Sequence, residues 1–212
     1  DATKAVIKGV VSDDLNRSNV DGLVVNTYHL LNENLVELIH SLGGLHKFMS
    51  FNLPIITDSG GFQVMSLVRD NPKNGKIDDT GIYFHPSKNN NLGHVFREMY
   101  LTPEFCIETQ LALGSDIIMC LDDCTNPSES LKEQEKSVER TVKWAELCKH
   151  YFDKGTEGLP SDKKQLIFSI IQGGNHKILR KKCADALIKI GFDGYAFGGW
   201  PVENGIFLED IV

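Results

Sequence analysis

Five short apolar runs, each ending abruptly in polar residues or glycines, constrain this chain more than any other feature. Leu23–Val25 runs into Asn26-Thr27-Tyr28-His29, and Ile55-Ile56 runs into Asp58-Ser59-Gly60-Gly61. Ile117–Leu121 meets Asp122-Asp123-Cys124, Ile170-Ile171 meets Gln172-Gly173-Gly174, and Tyr195–Phe197 meets Gly198-Gly199-Trp200. Helical stripes separate the runs, and continuous apolar strands between helices predict a parallel sheet covered on both sides. In a (β/α) barrel such strand ends share one rim, where the active site forms. In an open doubly wound sheet they converge only near the switch point. Five ends carrying complementary chemistry favour the barrel. Closing one takes eight strands and typically ~250 residues. The expected fold class is therefore α/β, a (β/α)8 TIM-type barrel that is incomplete in this chain.

The spacing predicts strands over Gly22–Asn26, Pro54–Asp58, Ile117–Leu121, Leu166–Ile171 and Tyr195–Phe197. A helix over Leu35–Leu42 has Asn34 as its cap and Gly43 as its stop. The clearest helix start is Thr102-Pro103-Glu104, a cap, a first-turn proline and an acid on the helix dipole, with Gly114 as the stop. Leu131, Val138, Val142, Ala145, Cys148 and Phe152 mark one long amphipathic helix. Leu179, Cys183, Leu187 and Ile190 mark another, closed by Gly191. Phe207–Val212 begins one more. Residues 70–101 form a Gly/Asn/Lys-rich insertion in which Lys76–Phe84 makes a hairpin and Asn89–Gly93 a mobile tip. Thr156–Lys164 is a polar loop. Residues 1–212 are read as one domain, the central part of a barrel.

A net charge of −7 disfavours any function resting on this chain's own neutralisation of phosphates; such a role needs local basic patches. Five cysteines without a C-x-x-C pair favour reduced, buried thiols in a cytoplasmic protein over disulfides or a zinc site. No apolar run is long enough to span a bilayer.

Asp58, at the end of a buried run and beside bare backbone, is the first candidate for chemistry. Taken singly, Asp58 and Asp122 are equally consistent with structural roles, and Asp123 with a helix cap. Gly173-Gly174 is a tight turn or a phosphate cradle. Trp200 reads as core and His29 as a loop histidine. His85 and His94 are too isolated to be metal ligands.

Together these residues resemble a known family. Asn26-Thr-Tyr-His-Leu30, Asp58-Ser-Gly-Gly-Phe-Gln63, Leu113-Gly-Ser-Asp-Ile-Ile118, Asp122-Asp-Cys124, Ile171-Gln-Gly-Gly174 and Gly194-Tyr-Ala-Phe-Gly-Gly199 are similar, in order, to motifs of the tRNA-guanine transglycosylases. The Gly-Gly of the second motif resembles the bacterial and eukaryotic branch. The resemblance implies a modified TIM barrel that exchanges the wobble guanine of tRNA for a 7-deazaguanine, preQ1 or queuine, by double displacement in queuosine biosynthesis. It implies that Asp58 handles protons on the leaving and entering bases. Asp122 and Gln172 would recognise the base edge and Gly199 would contribute a backbone contact. Ser59, Gly60, Gly61 and Phe62 would form the wall, with Phe62 stacking on a flipped base.

The partners implied are tRNA and a guanine or 7-deazaguanine base, with a homodimer for the full-length protein. The nucleophilic aspartate, a basic tRNA-binding stretch and a structural zinc site are expected beyond Val212, so no metal site is expected here and the isolated chain is expected to be inactive. Trp200-Pro201-Val202-Glu203-Asn204 departs from the family's usual ending, as does the insertion. Two other readings are a non-catalytic tRNA-binding partner subunit of a transglycosylase and an unrelated barrel enzyme with phosphate on its Gly-Gly turns. Retention of Asp58, Asp122 and Gln172 together disfavours the first. The absence of basic residues flanking the turns disfavours the second.

Overall fold

The alternation of strands and helices fixes the course of the chain, and a computed structural model describes it for residues 1–85, 98–126, 128–200, 202–203, 206–207 and 209. In chain order, α1 (Ser12–Arg17), β1 (Leu23–Val25), α2 (Thr27–Asn32), α3 (Val36–Ser41) and α4 (Leu45–Met49) precede β2 (Ile55–Thr57). Helix α5 (Gly61–Asp70) leads into β3 (Gly75–Asp78), β4 (Gly81–Phe84) and β5 (Met99–Leu101). Then come α6 (Pro103–Leu113), β6 (Ile117–Met119), α7 (Leu131–Gly155), β7 (Leu166–Ile171), α8 (Lys177–Ile190) and β8 (Gly194–Phe197). The two-residue strands β9 (Val202–Glu203) and β10 (Ile206–Phe207) follow and pair antiparallel.

Strands β1-β2-β6-β7-β8 form one sheet in that order, with every neighbouring pair parallel. The order never reverses. Right-handed crossovers in an unreversed order put every helix on the same face, whereas a doubly wound sheet needs a switch point. The arrangement is an arc of a TIM-type barrel, unclosed among the described residues.

Burial records the one-sided cover. Leu23, Val25, Ile55, Ile118 and Ile167 face the helices and are buried. The register row Val24–Ile56–Ile117–Leu166 faces the other way, and Val24 and Leu166 at its ends are 40% and 46% exposed. The expectation of a sheet covered on both faces is thus corrected. An unbroken apolar run is equally suited to a barrel lumen, which is filled by side chains of other strands.

Three apolar clusters form the core. One joins α1–α4 to β1 and β2, one joins the hairpin, α5, α6 and α7 to β6, and a small one joins α7 to α8. Helix α6 starts as its sequence dictates: Thr102 Oγ1 accepts from Phe105 N at 3.1 Å, Pro103 follows, and Gly114 closes the helix at φ +67°. Strand β5 adds a third member to the expected hairpin.

Other expectations need correction. Asn34 does not cap α3; it sits in a left-handed conformation (φ +55°) that asparagine tolerates, and Leu35 occupies the cap position. Phe207 lies in β10 instead of opening a helix, because the backbone there pairs with Val202–Glu203. The expected tip at 89–93 lies outside the described residues, as do His94 and residues 208 and 210–212. All five cysteines are free thiols, four of them buried. Among the described residues no helix is long and apolar enough to cross a membrane.

Candidate active site

Strand β2 ends in a carboxylate held from two neighbouring segments. Asp58 Oδ1 accepts from Thr27 N at 3.1 Å and from Gly60 N at 3.0 Å, while Oδ2 accepts from Asn26 Nδ2 at 2.7 Å. Asn26 works at both ends of its amide: its Oδ1 also accepts from His29 N at 3.1 Å, capping α2. The β1 end therefore starts a helix and orients the acid on β2. Burial raises the Asp58 pKa above the usual carboxylate range, against the lowering effect of these three donors.

The turn after Asp58 is crowded. Gly60 has φ +70°, and a Cβ there would lie 2.7 Å from Tyr28 N. A Cβ on Gly61 would lie 2.6 Å from Leu121 Cδ1. Gly61 is buried behind the wall, bonding Ser59 Oγ through its N–H at 3.2 Å, and does not line the cavity.

Strand β6 delivers two acids with different fates. Asp122 is buried beside Gln172, whose Nε2 donates to Oδ2 at 2.6 Å. Burial pushes its pKa up to about 7, and the nearby negative charges of Asp123 and Asp58 add to the rise. Asp123 turns away and pairs with Arg69 of α5 and Arg140 of α7, and its N–H donates to Thr141 Oγ1 at 3.0 Å. It is no helix cap. It is the buried anion that ties two helices to the β6 end.

Strands β7 and β8 supply Gln172 and the Gly198-Gly199 turn. Arg180 of α8 braces both: Nε donates to Gly174 O at 2.8 Å and Nη2 to Gly198 O at 2.9 Å. At the mouth, Phe62 and Trp200 meet edge to face, their ring centroids 5.8 Å apart. Both are about half exposed and line the cavity, so Trp200 is not the core residue its size suggests.

These residues enclose a cavity of about 420 Å³, within the range of small-molecule sites. Asp58, Ser59, Gly60, Phe62, Asp122, Gln172 and Gly199 line it. So do Gln63, Met119, Cys124 and Ile170, which the sequence reading did not single out for the site. A larger groove of about 870 Å³ runs between α7 and α8, lined by Lys177, Lys181 and Lys182 among others. It lies on the outer helix layer, away from the strand ends and from both raised carboxyl groups. His29 lies in α2, does not line the cavity, and is driven towards its neutral form chiefly by burial. Among the described residues no group of three or more His, Cys, Asp or Glu is placed to hold a metal ion.

Fold and cavity together define a TIM-type barrel protein with a mostly apolar, aromatic-mouthed pocket at its strand ends, into which two carboxyl groups are set. A sequence model described as queuine tRNA-ribosyltransferase matches residues 2–209. The queuine tRNA-ribosyltransferase of Thermotoga neapolitana is 40% identical over 209 residues, covering 98% of this chain and 52% of that protein. Those of Koribacter versatilis and Rickettsia typhi are each 40% identical, covering 94% and 96% of this chain and 51% and 52% of theirs. The chain belongs to the queuine tRNA-ribosyltransferase family, and it spans about half the length of the curated relatives it matches.

Proposed function

We propose that this chain carries the base-exchange pocket of a tRNA-guanine transglycosylase, a pentosyltransferase that swaps the wobble guanine of tRNA for a 7-deazaguanine, preQ1 or queuine. The observation that carries the reading is the pairing of Asp122 with Gln172 in the same cavity as Asp58. A carboxylate accepts two N–H groups side by side, which suits the N1–H and exocyclic amine of a guanine-type base. Gln172 holds that carboxylate and adds a second polar contact to the base edge. Gly199 offers its backbone, and Phe62 with Trp200 offers ring faces at the mouth.

In the proposed double displacement, a carboxylate attacks the ribose anomeric carbon as the guanine leaves with the glycosidic electron pair. The incoming base then displaces that carboxylate. Asp58 supplies a proton to the departing base and takes one from its replacement. Its raised pKa brings it nearer the pH at which both transfers are feasible. The attacking acid is not assigned among these residues. The zinc implied by the family resemblance finds no ligand set among the described residues, and no step is drawn through it.

The reading includes tRNA as partner, a homodimer, a cytoplasmic setting and residues 1–212 as the central part of a barrel domain. It also includes inactivity of the isolated chain. A non-catalytic subunit is not favoured, since such a protein has no need of the whole pocket. Exchange of labelled guanine in tRNA by the complete gene product is the test. Absence of exchange, with the protein folded, overturns the proposal.

A further inference from the structure

Arg180 is a buried guanidinium, 6% exposed, and among the described residues no carboxylate pairs with it. Its donors go instead to three backbone carbonyls: Gly174 at 2.8 Å, Gly198 at 2.9 Å and Ile171 at 3.4 Å. Burying an uncompensated charge is costly, and a neutral side chain would brace two turns without that cost. The charge calls for an electrostatic explanation.

The glycine pairs are shaped around this side chain. Gly173 has φ +142°, and a Cβ there would lie 2.6 Å from the backbone N of Arg180 and 2.9 Å from its side-chain Cγ. A Cβ on Gly199 (φ +87°) would lie 3.2 Å from Arg180 Nη2, and one on Gly198 would lie 2.3 Å from Gln172 Nε2. Of the two Gly-Gly turns, candidates for phosphate cradles on sequence alone, Gly173, Gly198 and Gly199 make room for Arg180 and Gln172, and Gly174 makes room for Gln134.

The carbonyl that Arg180 Nη2 holds belongs to the same peptide unit as the N–H of Gly199. In a trans peptide that N–H points away from Arg180, and Gly199 lines the cavity. A cation hydrogen-bonded to a carbonyl oxygen polarises the peptide and strengthens its N–H as a donor. Guanine-type bases carry an oxo group. When the glycosidic bond breaks, its electron pair passes into the ring and part of the charge reaches that oxygen. We propose that Arg180 is a positioning residue that polarises the Gly198–Gly199 peptide, so that the Gly199 N–H stabilises negative charge on the purine oxo group as the base leaves or enters. Arg180 itself moves no proton. The inference rests on the function proposed above.

The test uses the complete gene product and its Arg180→Gln variant, which keeps a hydrogen-bond donor and loses the charge. The proposal expects kcat for guanine exchange to fall at least tenfold while KM for guanine changes less than threefold, because the polarisation counts only as charge develops. A rise in KM with unchanged kcat, or no change in either, overturns the inference alone. No exchange by the wild-type protein overturns the functional reading and this inference with it. If Arg180→Gln does not fold, the wild-type protein decides. The Gly199 amide proton shifts downfield on binding guanine and not on binding 2-aminopurine, which lacks the oxo group. Equal shifts with both bases, or none with either, refute the proposal.

Discussion

Gln172 Nε2 lies 2.6 Å from Asp122 Oδ2, a single bond that joins the ends of β6 and β7 inside the cavity. The amide is neutral, so it favours the ionised carboxylate without supplying a countercharge. Burial outweighs it and leaves the group titrating at about 7.

Under the proposed function, base affinity should therefore depend on pH. A guanine edge donating two N–H groups takes the ionised form of Asp122, so each molecule bound below about pH 7 must first displace a proton. Affinity for guanine should fall by about tenfold per pH unit as the pH drops below that value. Calorimetric titration of the complete gene product between pH 5.5 and 8 measures this, and a flat profile contradicts it.

The two cavity acids should separate by substitution. Asp58→Asn removes the proposed proton handler and should lower exchange by about 10²–10⁴-fold, with guanine affinity changed less than about threefold. Asp122→Ala strands the base's N–H groups and should weaken guanine binding by about a hundredfold, near 3 kcal/mol. Equal loss of binding in both variants would mean that neither role has been assigned correctly.

Asn26→Ser distinguishes the two duties of one side chain. Serine still caps α2, while the amide donor to Asp58 Oδ2 is lost. With that lowering influence gone, the Asp58 pKa rises further. The acid limb of kcat/KM should move to higher pH, with thermal stability little altered. A pH–rate profile superimposable on the wild type would rule this out.

Gly60→Ala and Gly158→Ala form a matched pair. Both positions have left-handed φ, +70° and +75°, yet a Cβ meets Tyr28 N at 2.7 Å in the first and nothing within 4 Å in the second. Gly158→Ala should cost about 1–2 kcal/mol for conformation alone. Gly60→Ala should cost at least about 1 kcal/mol more, because backbone must shift. Urea melts of the two variants compare them directly.

Asp123→Ala leaves Arg69 and Arg140 facing each other without their shared anion. The arginines left behind keep partial access to water, so the loss should cost about 1–3 kcal/mol, less than for a fully buried pair. The same variant should loosen the β6 end and weaken guanine binding, measurable as a lower melting temperature together with a raised Kd.

Much of this site was legible because its chemistry sits where apolar runs stop. Asp58 and Gln172 follow β2 and β7 directly, and Thr102-Pro103 announces α6 by local rules alone. What stayed hidden depends on pairing across the fold. Arg180 looks in sequence like one more basic residue beside Lys181 and Lys182, and only the return of β8 supplies its carbonyls. Asp123 reads as a cap because its partners lie 54 and 17 residues away. Asn26 offered a local signal, a capping residue straight after a strand, but nothing in the chain shows the Asp58 on its other side. The one-sided cover of the sheet was invisible for a different reason. Apolar residues suit both a helix-covered face and a barrel lumen.

The unreversed strand order has a consequence for how such a pocket can change. Asp58, Asp122, Gln172 and Gly199 follow four hydrogen-bonded neighbours, β2, β6, β7 and β8. Neighbouring strands lie about 4.8 Å apart, so the row spans roughly 14 Å in fixed steps. The ladder acts as a ruler. Substitutions in the loops can alter what the pocket recognises, but its breadth is set by backbone pairing and can change only by adding a strand or slipping the register.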